Sequence, residues 1–436
     1  MEECENCFTC ENCYTDQSCV ECQVCVECQS CYTAESCDKC ESCFTCETVA
    51  QPHGLVQKTC QIKPKIYTNS LTIFASNGCN LDCEYCFFRG TKDKDNLTYE
   101  VGKEAVDFLF LVSDSTKPVS IWFFGGEPFL NYEVMQKVIL YGKQKAKKYD
   151  RQLSFGATTN MTLLNQERID FWHEEGGNLL ISLDGCEEGH NFYRKDIYGE
   201  GSFATAWNWT EKWLKLKPET SIRFTVNPET LLYQIKGLKF LVEWGVNNIA
   251  MCPNQECDWS EEDYKLYKEN LLEIAEVFIA KLREGRRLLI KPFEDGFSLH
   301  KIKGRMGGTR CGTGGYDVGV GVDGKLYRCH RFVLRGEAGE IGNVWDGFSE
   351  KRKETLNYDI NKIQGYNCEK CMIKARCNGY CIAVNQDRKG DLWIVPEEVC
   401  KQEIIHQEVA DFILNTLRSE EKLYNKVMGN ENKSCR

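Results

Sequence analysis

A chain of 436 residues is long enough to bury a large core and to hold more than one domain. Its formal net charge of −11 argues against a general nucleic-acid binder, because phosphate contacts need clustered lysine and arginine. The sequence shows neither a secretion signal nor an apolar run that could span a membrane, so we expect a cytoplasmic protein with no membrane partner. In that compartment the 28 cysteines indicate metal or redox chemistry rather than disulfides.

An acidic, cysteine-rich repeat occupies residues 1–48, where the cysteine pattern recurs every eighteen positions. The repeat cysteines are Cys4, Cys7, Cys10, Cys13, Cys19, Cys22, Cys25, Cys28, Cys31, Cys37, Cys40, Cys43 and Cys46. Few residues here could pack into a core, so we expect the segment to be disordered unless cross-links or metal order it. Residues 49–70 contain prolines and a glycine without sustained periodicity, which predicts a linker.

From residue 71 to about residue 300, strand and helix patterns alternate. Buried parallel strands are predicted at residues 71–76, 119–124, 153–158, 179–183, 222–226 and 248–252. Amphipathic stretches between them, such as Tyr99–Val112, Tyr132–Lys148 and Leu231–Trp244, predict helices. The pattern indicates an α/β fold of about six strand–helix units, either a partial (β/α)6 TIM-like barrel or an open parallel sheet. Ligands would bind at the carboxyl ends of the strands.

The loop after the first of these strands contains Cys79, Cys83 and Cys86 in the spacing C-x3-C-x2-C. Three thiolates on one short loop can hold three irons of a [4Fe–4S] cluster and leave the fourth iron open for a ligand. A structural zinc loop is the alternative. The motif resembles the signature of the radical S-adenosylmethionine (radical SAM) enzymes, whose open iron chelates the methionine part of S-adenosylmethionine.

The resemblance implies a set of cofactor-binding residues at the strand ends. These residues are Tyr85, Gly125, Gly126, Glu127, Pro128, Asn160, Ser182 and Arg194. In the family, the backbone of the GGEP sequence meets the methionine amino group. Ser182 could bond a ribose hydroxyl, Arg194 could pair with the methionine carboxylate, and Tyr85 could lie against adenine. Taken singly, each could equally be a capping or surface residue.

A second group of cysteines lies in the predicted C-terminal domain, residues 301–405, which precedes a C-terminal helix and tail at residues 406–436. This group consists of Cys311, Cys329, Cys368, Cys371, Cys377, Cys381 and Cys400. The spacing resembles the SPASM extension of radical SAM enzymes, which holds two auxiliary [4Fe–4S] clusters. A zinc ribbon over residues 368–381 is the alternative.

The SPASM resemblance also assigns the ligands of these clusters. By position, Cys368, Cys371, Cys377 and Cys400 would hold one cluster. The other would be held by Cys311, Cys329 and Cys381, with its last iron open to Cys252, to Cys257 or to a substrate thiolate. Sulfatase-modifying relatives carry a further cysteine before the first SPASM cysteine and an aspartate base after the second. Residues 301–310 contain no cysteine and His330 replaces the base, which counts against a sulfatase-type oxidation.

These resemblances imply a maturase that forms thioethers in cysteine-rich ribosomal peptides, of the sactipeptide or ranthipeptide type. It would use S-adenosylmethionine, three [4Fe–4S] clusters and a low-potential flavodoxin- or ferredoxin-type electron donor. We hypothesise that residues 1–50 are a fused substrate peptide. The acceptor carbons would belong to Thr9, Thr15, Thr33 and Thr45 or to nearby aspartates and glutamates, and no catalytic residue is assigned.

Two other functions fit the same sequence. The repeat could be a metallothionein-like metal store attached to an unrelated catalytic unit. Alternatively, the enzyme could modify a separate peptide or protein, while the repeat binds metal or relays electrons. The three readings differ in whether the repeat changes covalently during turnover.

Overall fold

The structure is a computed structural model that describes residues 44–50, 56–62 and 67–429, apart from residues 90–93, 302–311, 334, 357–359, 376 and 378. The chain divides into two units, Met1–Ile66 and Tyr67–Arg436. Most of the cysteine repeat, with the expectation of disorder attached to it, lies outside the described residues.

In the first unit, strand β1 (Phe44–Ala50) pairs antiparallel with strand β2 (Val56–Ile62). Cys46 stands opposite Cys60 in this hairpin. Strand β2 thus lies inside the stretch that the sequence predicts to be a linker, residues 49–70. Three of the four alternate positions 56, 58, 60 and 62 are apolar, a weak strand signal that the proline and glycine content of the region obscured.

The second unit is built on one sheet. Its strands are β3 (Ser70–Ser76), β4 (Val119–Gly125), β5 (Leu153–Thr159), β6 (Asn178–Ser182), β7 (Ser221–Val226), β8 (Asn248–Pro253), β9 (Leu289–Lys291), β10 (Asp317–Val320), β11 (Lys325–Tyr327), β12 (Glu340–Asn343) and β13 (Gly347–Phe348). Strands β3 to β9 are parallel and lie side by side in chain order. The sheet has β9 and β13 as its two edges and does not close, which confirms the predicted α/β partial barrel.

The described part of the second unit has twelve helices, most of which pack against one face of the sheet. They are α1 (Tyr99–Val112), α2 (Tyr132–Lys148), α3 (Gln166–Glu174), α4 (Glu187–Tyr193), α5 (Phe203–Leu216), α6 (Leu231–Trp244), α7 (Glu261–Arg283), α8 (Phe293–Lys301), α9 (Lys351–Leu356), α10 (Ile382–Lys389), α11 (Glu397–Leu417) and α12 (Glu421–Met428). Local sequence fixes several ends: Thr98 caps α1, the Ser260–Asp263 capping box begins α7, and Gly245 ends α6 in the left-handed conformation. None of these helices in the described residues is long and apolar enough to cross a membrane.

The two faces of the sheet bury different clusters. On β3, Leu71, Ile73 and Ala75 join the main core with the helices. Phe74 points to the opposite face, which we call the inner face, and packs in a second cluster with Phe332 and other buried side chains of the C-terminal region. The inner face is where the C-terminal region meets the strand ends.

The C-terminal region continues the barrel sheet instead of forming a separate layer. Strand β10 pairs in parallel with β3, and β11 to β13 extend the sheet in antiparallel order. Thr72 and Ser70 donate to the Asp317 carboxylate across this junction. Pairing β10 with β3 satisfies the backbone groups that a sheet edge would otherwise expose.

Candidate active site at the strand ends

The loop that carries Cys79, Cys83 and Cys86 is fixed by the glycines after β4. Gly126 N donates to Ser76 O at 2.9 Å, and Glu127 N donates to Gly78 O at 2.8 Å. A Cβ atom would lie 2.0 Å from Ser76 O if added to Gly125, and 2.2 Å from Gly78 O if added to Gly126. Only glycine allows the two loops to approach this closely. In this structure the GGEP backbone N–H groups therefore position the cysteine loop.

The three thiols of this loop differ in exposure. Cys79 is exposed, Cys86 is partly buried and Cys83 is buried. Leu81 N donates to Cys79 Sγ at 3.4 Å, and Phe88 N donates to Cys86 Sγ at the same distance. Burial raises the pKa of Cys83 to about 11, although the Arg194 charge opposes this rise. Three thiols on one loop, two of which accept from backbone N–H groups, suit an iron–sulfur cluster, because metal binding deprotonates a coordinated thiol.

Glu127 is a structural link rather than a free ligand. Its buried carboxylate accepts hydrogen bonds from Phe129 N at 3.1 Å, Thr159 Oγ1 at 2.8 Å and Asn160 N at 2.7 Å. Burial raises its pKa to about 7 despite these donors. The links join the end of β4 to the end of β5 and place the Asn160 side chain 3.9 Å from Cys79 Sγ. Pro128 begins the short 3₁₀ turn that follows.

Asp184 accepts hydrogen bonds from two of the predicted cofactor-binding residues. Arg194 donates to its carboxylate from Nε at 2.8 Å and from Nη2 at 3.1 Å, and Tyr85 Oη donates at 2.6 Å. Thr225 N is a further donor, at 2.9 Å. The sequence assigned Arg194 to the methionine carboxylate, but in this structure its guanidinium is buried against Asp184. The sequence did not predict this role of Asp184, because a linear motif does not show which of its residues face each other.

Ser182 is the last residue of β6 and is only partly buried, so its hydroxyl lies at the strand end. His190 is fully buried, and its Nε2 lies 3.0 Å from Ser202 Oγ. Burial lowers the pKa of His190 to about 3, so this ring is neutral. These contacts give His190 a structural role.

The assigned ligands of one auxiliary cluster meet in the structure. Cys368, Cys371, Cys377 and Cys400 line one cavity together with apolar side chains such as Ile363 and Val395. A Cβ atom at Gly365 would lie 3.0 Å from Cys400 Sγ and 3.5 Å from Cys368 Sγ. Gly379 N donates to Cys377 Sγ at 3.4 Å, and burial raises the pKa of Cys400 to about 12. Four thiols around one apolar cavity fit a [4Fe–4S] cluster.

The other auxiliary set is only partly described, since Cys311 lies outside the described residues. Cys329 is buried and Cys381 partly buried, and both belong to the inner-face cluster that also contains Cys86. This set therefore adjoins the Cys79–Cys86 loop. The Sγ of Cys257 lies 3.8 Å from Asn254 O.

In the described part of the chain, no three His, Cys, Asp or Glu side chains converge closely enough to hold a single metal ion. In a [4Fe–4S] cluster each thiolate binds a different iron, so the sulfurs need not converge on one point. The donor sets described above consist of cysteines only. They fit iron–sulfur clusters by their chemistry.

His330 occupies the place of the base in sulfatase-modifying relatives. Its ring centroid lies 4.9 Å from that of Phe124 on the inner face of β4. Burial, together with the charges of Arg223 and Arg335, lowers its pKa to about 4. The imidazole is therefore neutral at neutral pH.

Comparison with known proteins identifies the domain. Residues 73–249 match the Radical SAM superfamily. A cysteine-type anaerobic sulfatase-maturating enzyme from Clostridium perfringens is 27% identical over 338 residues, which cover 70% of this chain and 86% of the relative.

Two solved structures show the same fold. Native anSMEcpe with bound AdoMet has a TM-score of 0.68 and 23% identity, covering 80% of this chain and 99% of that chain. SuiB from Streptococcus suis bound to the precursor peptide SuiA has a TM-score of 0.55 and 15% identity, covering 77% and 76%. The chain therefore carries a radical SAM domain homologous to that of the anaerobic sulfatase-maturating enzymes, and the protein is a radical SAM enzyme.

Proposed function

We propose that this enzyme forms thioether links between cysteine sulfur and carbon in a cysteine-rich peptide, and that residues 1–50 are its fused substrate. The observation that supports this most is that Cys329 and Cys381 pack in the same group of inner-face side chains as Cys86 of the radical SAM loop. An auxiliary cysteine set beside the radical SAM loop can hold a substrate thiol near the reacting carbon. The same chain begins with a cysteine repeat that supplies such thiols.

Different residues of this chain would have different roles in the reaction. Cys79, Cys83 and Cys86 hold the radical SAM cluster, while Gly125 and Gly126 keep their loop in place. When bound, the cluster and S-adenosylmethionine supply a 5′-deoxyadenosyl radical that removes a hydrogen atom from carbon. Cys329 and Cys381, with Cys311, would hold an auxiliary cluster, which would lower the pKa of a substrate thiol bound to it. A further cluster at the Cys368–Cys400 cavity completes a set of three.

The overall reaction is balanced without another oxidant. One C–H bond and one S–H bond of the peptide are replaced by one C–S bond. The hydrogen atom is released in 5′-deoxyadenosine and the thiol proton goes to solvent. S-adenosylmethionine is the oxidant and also yields methionine, and the electron that starts the reaction is returned to the protein.

Intact mass of the repeat tests this function. Protein reconstituted without oxygen is incubated with S-adenosylmethionine and reductant, treated with a strong thiol, and cleaved after the repeat. We expect losses of two hydrogens per link that survive thiol treatment, with one alkylatable cysteine lost for each link. An unchanged mass despite cleavage of S-adenosylmethionine would refute the fused-substrate proposal.

Modification of a separate peptide or protein is the second candidate. It is favoured by SuiB, whose precursor peptide SuiA is a separate chain, and by the sulfatase-maturating relatives. Residues 1–50 would then bind metal or relay electrons. A repeat that binds iron or zinc and keeps its mass during turnover would favour this function.

A further inference from the structure

Arg223 is a cation on the inner face of the sheet that the proposed reaction does not yet use. Along β7, Ile222, Phe224 and Val226 are buried in the main core with the helices. Because side chains alternate along a strand, Arg223 points to the inner face. It pairs in register with Ser182, the strand-end residue proposed to contact the cofactor.

The auxiliary cysteine set borders the same space. His330 directly follows Cys329, and its ring packs on Phe124 of the inner face. Arg223 and Phe124 lie on the same inner face of the sheet, so the guanidinium and the His330 ring border one space. Arg223 is therefore on the face of the sheet where the auxiliary cysteines lie, beside the strand end that carries Ser182.

Other arginines around this space have acidic partners. Arg331 pairs with Glu256, and Arg335 pairs with Asp387. Within the described residues, the Arg223 side chain has no hydrogen bond or ion pair, although it is only partly exposed. A guanidinium in such a place gains most from a carboxylate, which can accept two parallel hydrogen bonds.

We propose that Arg223 binds the side-chain carboxylate of an aspartate or glutamate in the peptide and thereby selects acidic residues, rather than threonines, as acceptors of the thioether links. This inference rests on the proposed function and names its acceptor. The repeat supplies acids directly beside its cysteines, for example Glu3 and Glu5 around Cys4 and Glu47 after Cys46. A carboxylate held by Arg223 would fix the neighbouring carbon between the cofactor and the substrate thiol.

Three full-length variants test the inference. Arg223→Gln removes the charge, Arg223→Lys keeps it without the planar fork, and a third chain has every acid of residues 1–48 changed to its amide. Tandem mass spectrometry of the released repeat identifies the linked residues. We expect links at aspartate or glutamate, formed roughly 10- to 100-fold more slowly by Arg223→Gln, as for loss of a charged hydrogen bond. Arg223→Lys should reduce the rate of link formation less than Arg223→Gln does.

A double-mutant cycle separates carboxylate binding from a general effect. If Arg223 acts on the acids, the amide repeat slows the wild-type enzyme strongly but slows Arg223→Gln little further. Three results would overturn the inference while thioethers still form. The first is that the two changes reduce the linking rate additively, and the second is that the links occur at threonine. The third is that Arg223→Gln changes only the KM for S-adenosylmethionine. A wild-type chain that forms no link overturns the proposed function and this inference together. Equal melting temperatures of the three Arg223 forms confirm that folding is not the cause.

Discussion

At the scale of single residues, a buried ion pair fixes the strand ends. Asp184 and Arg194 are 4% and 7% exposed, so neither charge is solvated when its partner is lost. The Arg194 guanidinium also lies 5.4 Å from the centre of the Tyr85 ring, whose hydroxyl bonds to Asp184. Tyr85 belongs to the cysteine loop, so the pair ties that loop to β6 and β7.

Asp184→Asn should therefore destabilise the protein. Arg194 would remain buried without a countercharge, which typically costs about 3–5 kcal/mol. Urea unfolding of the reconstituted enzyme under anaerobic conditions measures the loss. The control is Glu273→Gln, whose ion pair with Lys239 is half exposed and should leave the unfolding midpoint nearly unchanged. Equal midpoints for the two variants would show that the buried pair does not hold the strand ends.

At the scale of elements, sequence patterns predict strands and helices well where the pattern is local. The bounds of α1, α2 and α6 match the predicted ranges, because each has a complete apolar stripe and clear end signals. The pairing of β10 with β3 was not predicted, since a four-residue strand carries no signal for a partner more than 240 positions away. The Asp184–Arg194 pair was missed for a related reason: the motif gives residue types but not which of them face each other.

The close approach of two loops at the glycine pair predicts a specific defect. Gly126→Ala should displace the cysteine loop, because its Cβ would lie 2.2 Å from the backbone oxygen of Gly78. We expect loss of the iron and sulfide of one cluster and of S-adenosylmethionine cleavage. Gly78→Ala is the matched control in the same loop, since its Cβ would meet Ser76 Oγ at an ordinary 3.4 Å. Full iron content in Gly126→Ala would contradict the role given to this glycine.

Asp317 in strand β10 should make the free energy of unfolding depend on pH. Burial raises the pKa of Asp317 to about 6 from an ordinary value of 3.8, although Ser70 and Thr72 donate to it. The folded state then binds more protons than the unfolded state between these values, so the free energy of unfolding falls as pH rises through this window. Asp317→Asn should remove this fall and be more stable at pH 7.5, by on the order of 2 kcal/mol. Urea midpoints at pH 5 and 7.5 measure both effects; parallel pH profiles would refute this account.

At the scale of the whole molecule, the arrangement joins a cysteine repeat to the enzyme that would act on it. The division of the chain falls at residues 66 and 67, between the repeat with its hairpin and the radical SAM unit. A covalent tether of this kind gives effective substrate concentrations of about a millimolar. Tethering would then replace recognition of a separate peptide.

A protease site inserted between residues 66 and 67 tests the tether. In the intact chain, linking is intramolecular, so its rate should not change with protein concentration between about 0.1 and 10 µM. After cleavage, the rate should fall and become proportional to concentration, because the repeat must now find the enzyme by diffusion. Intact mass followed over time measures both rates, and the same chain without protease is the control. Equal rates before and after cleavage at low concentration would show that the released repeat is still bound by the enzyme, and the fusion would then need another explanation.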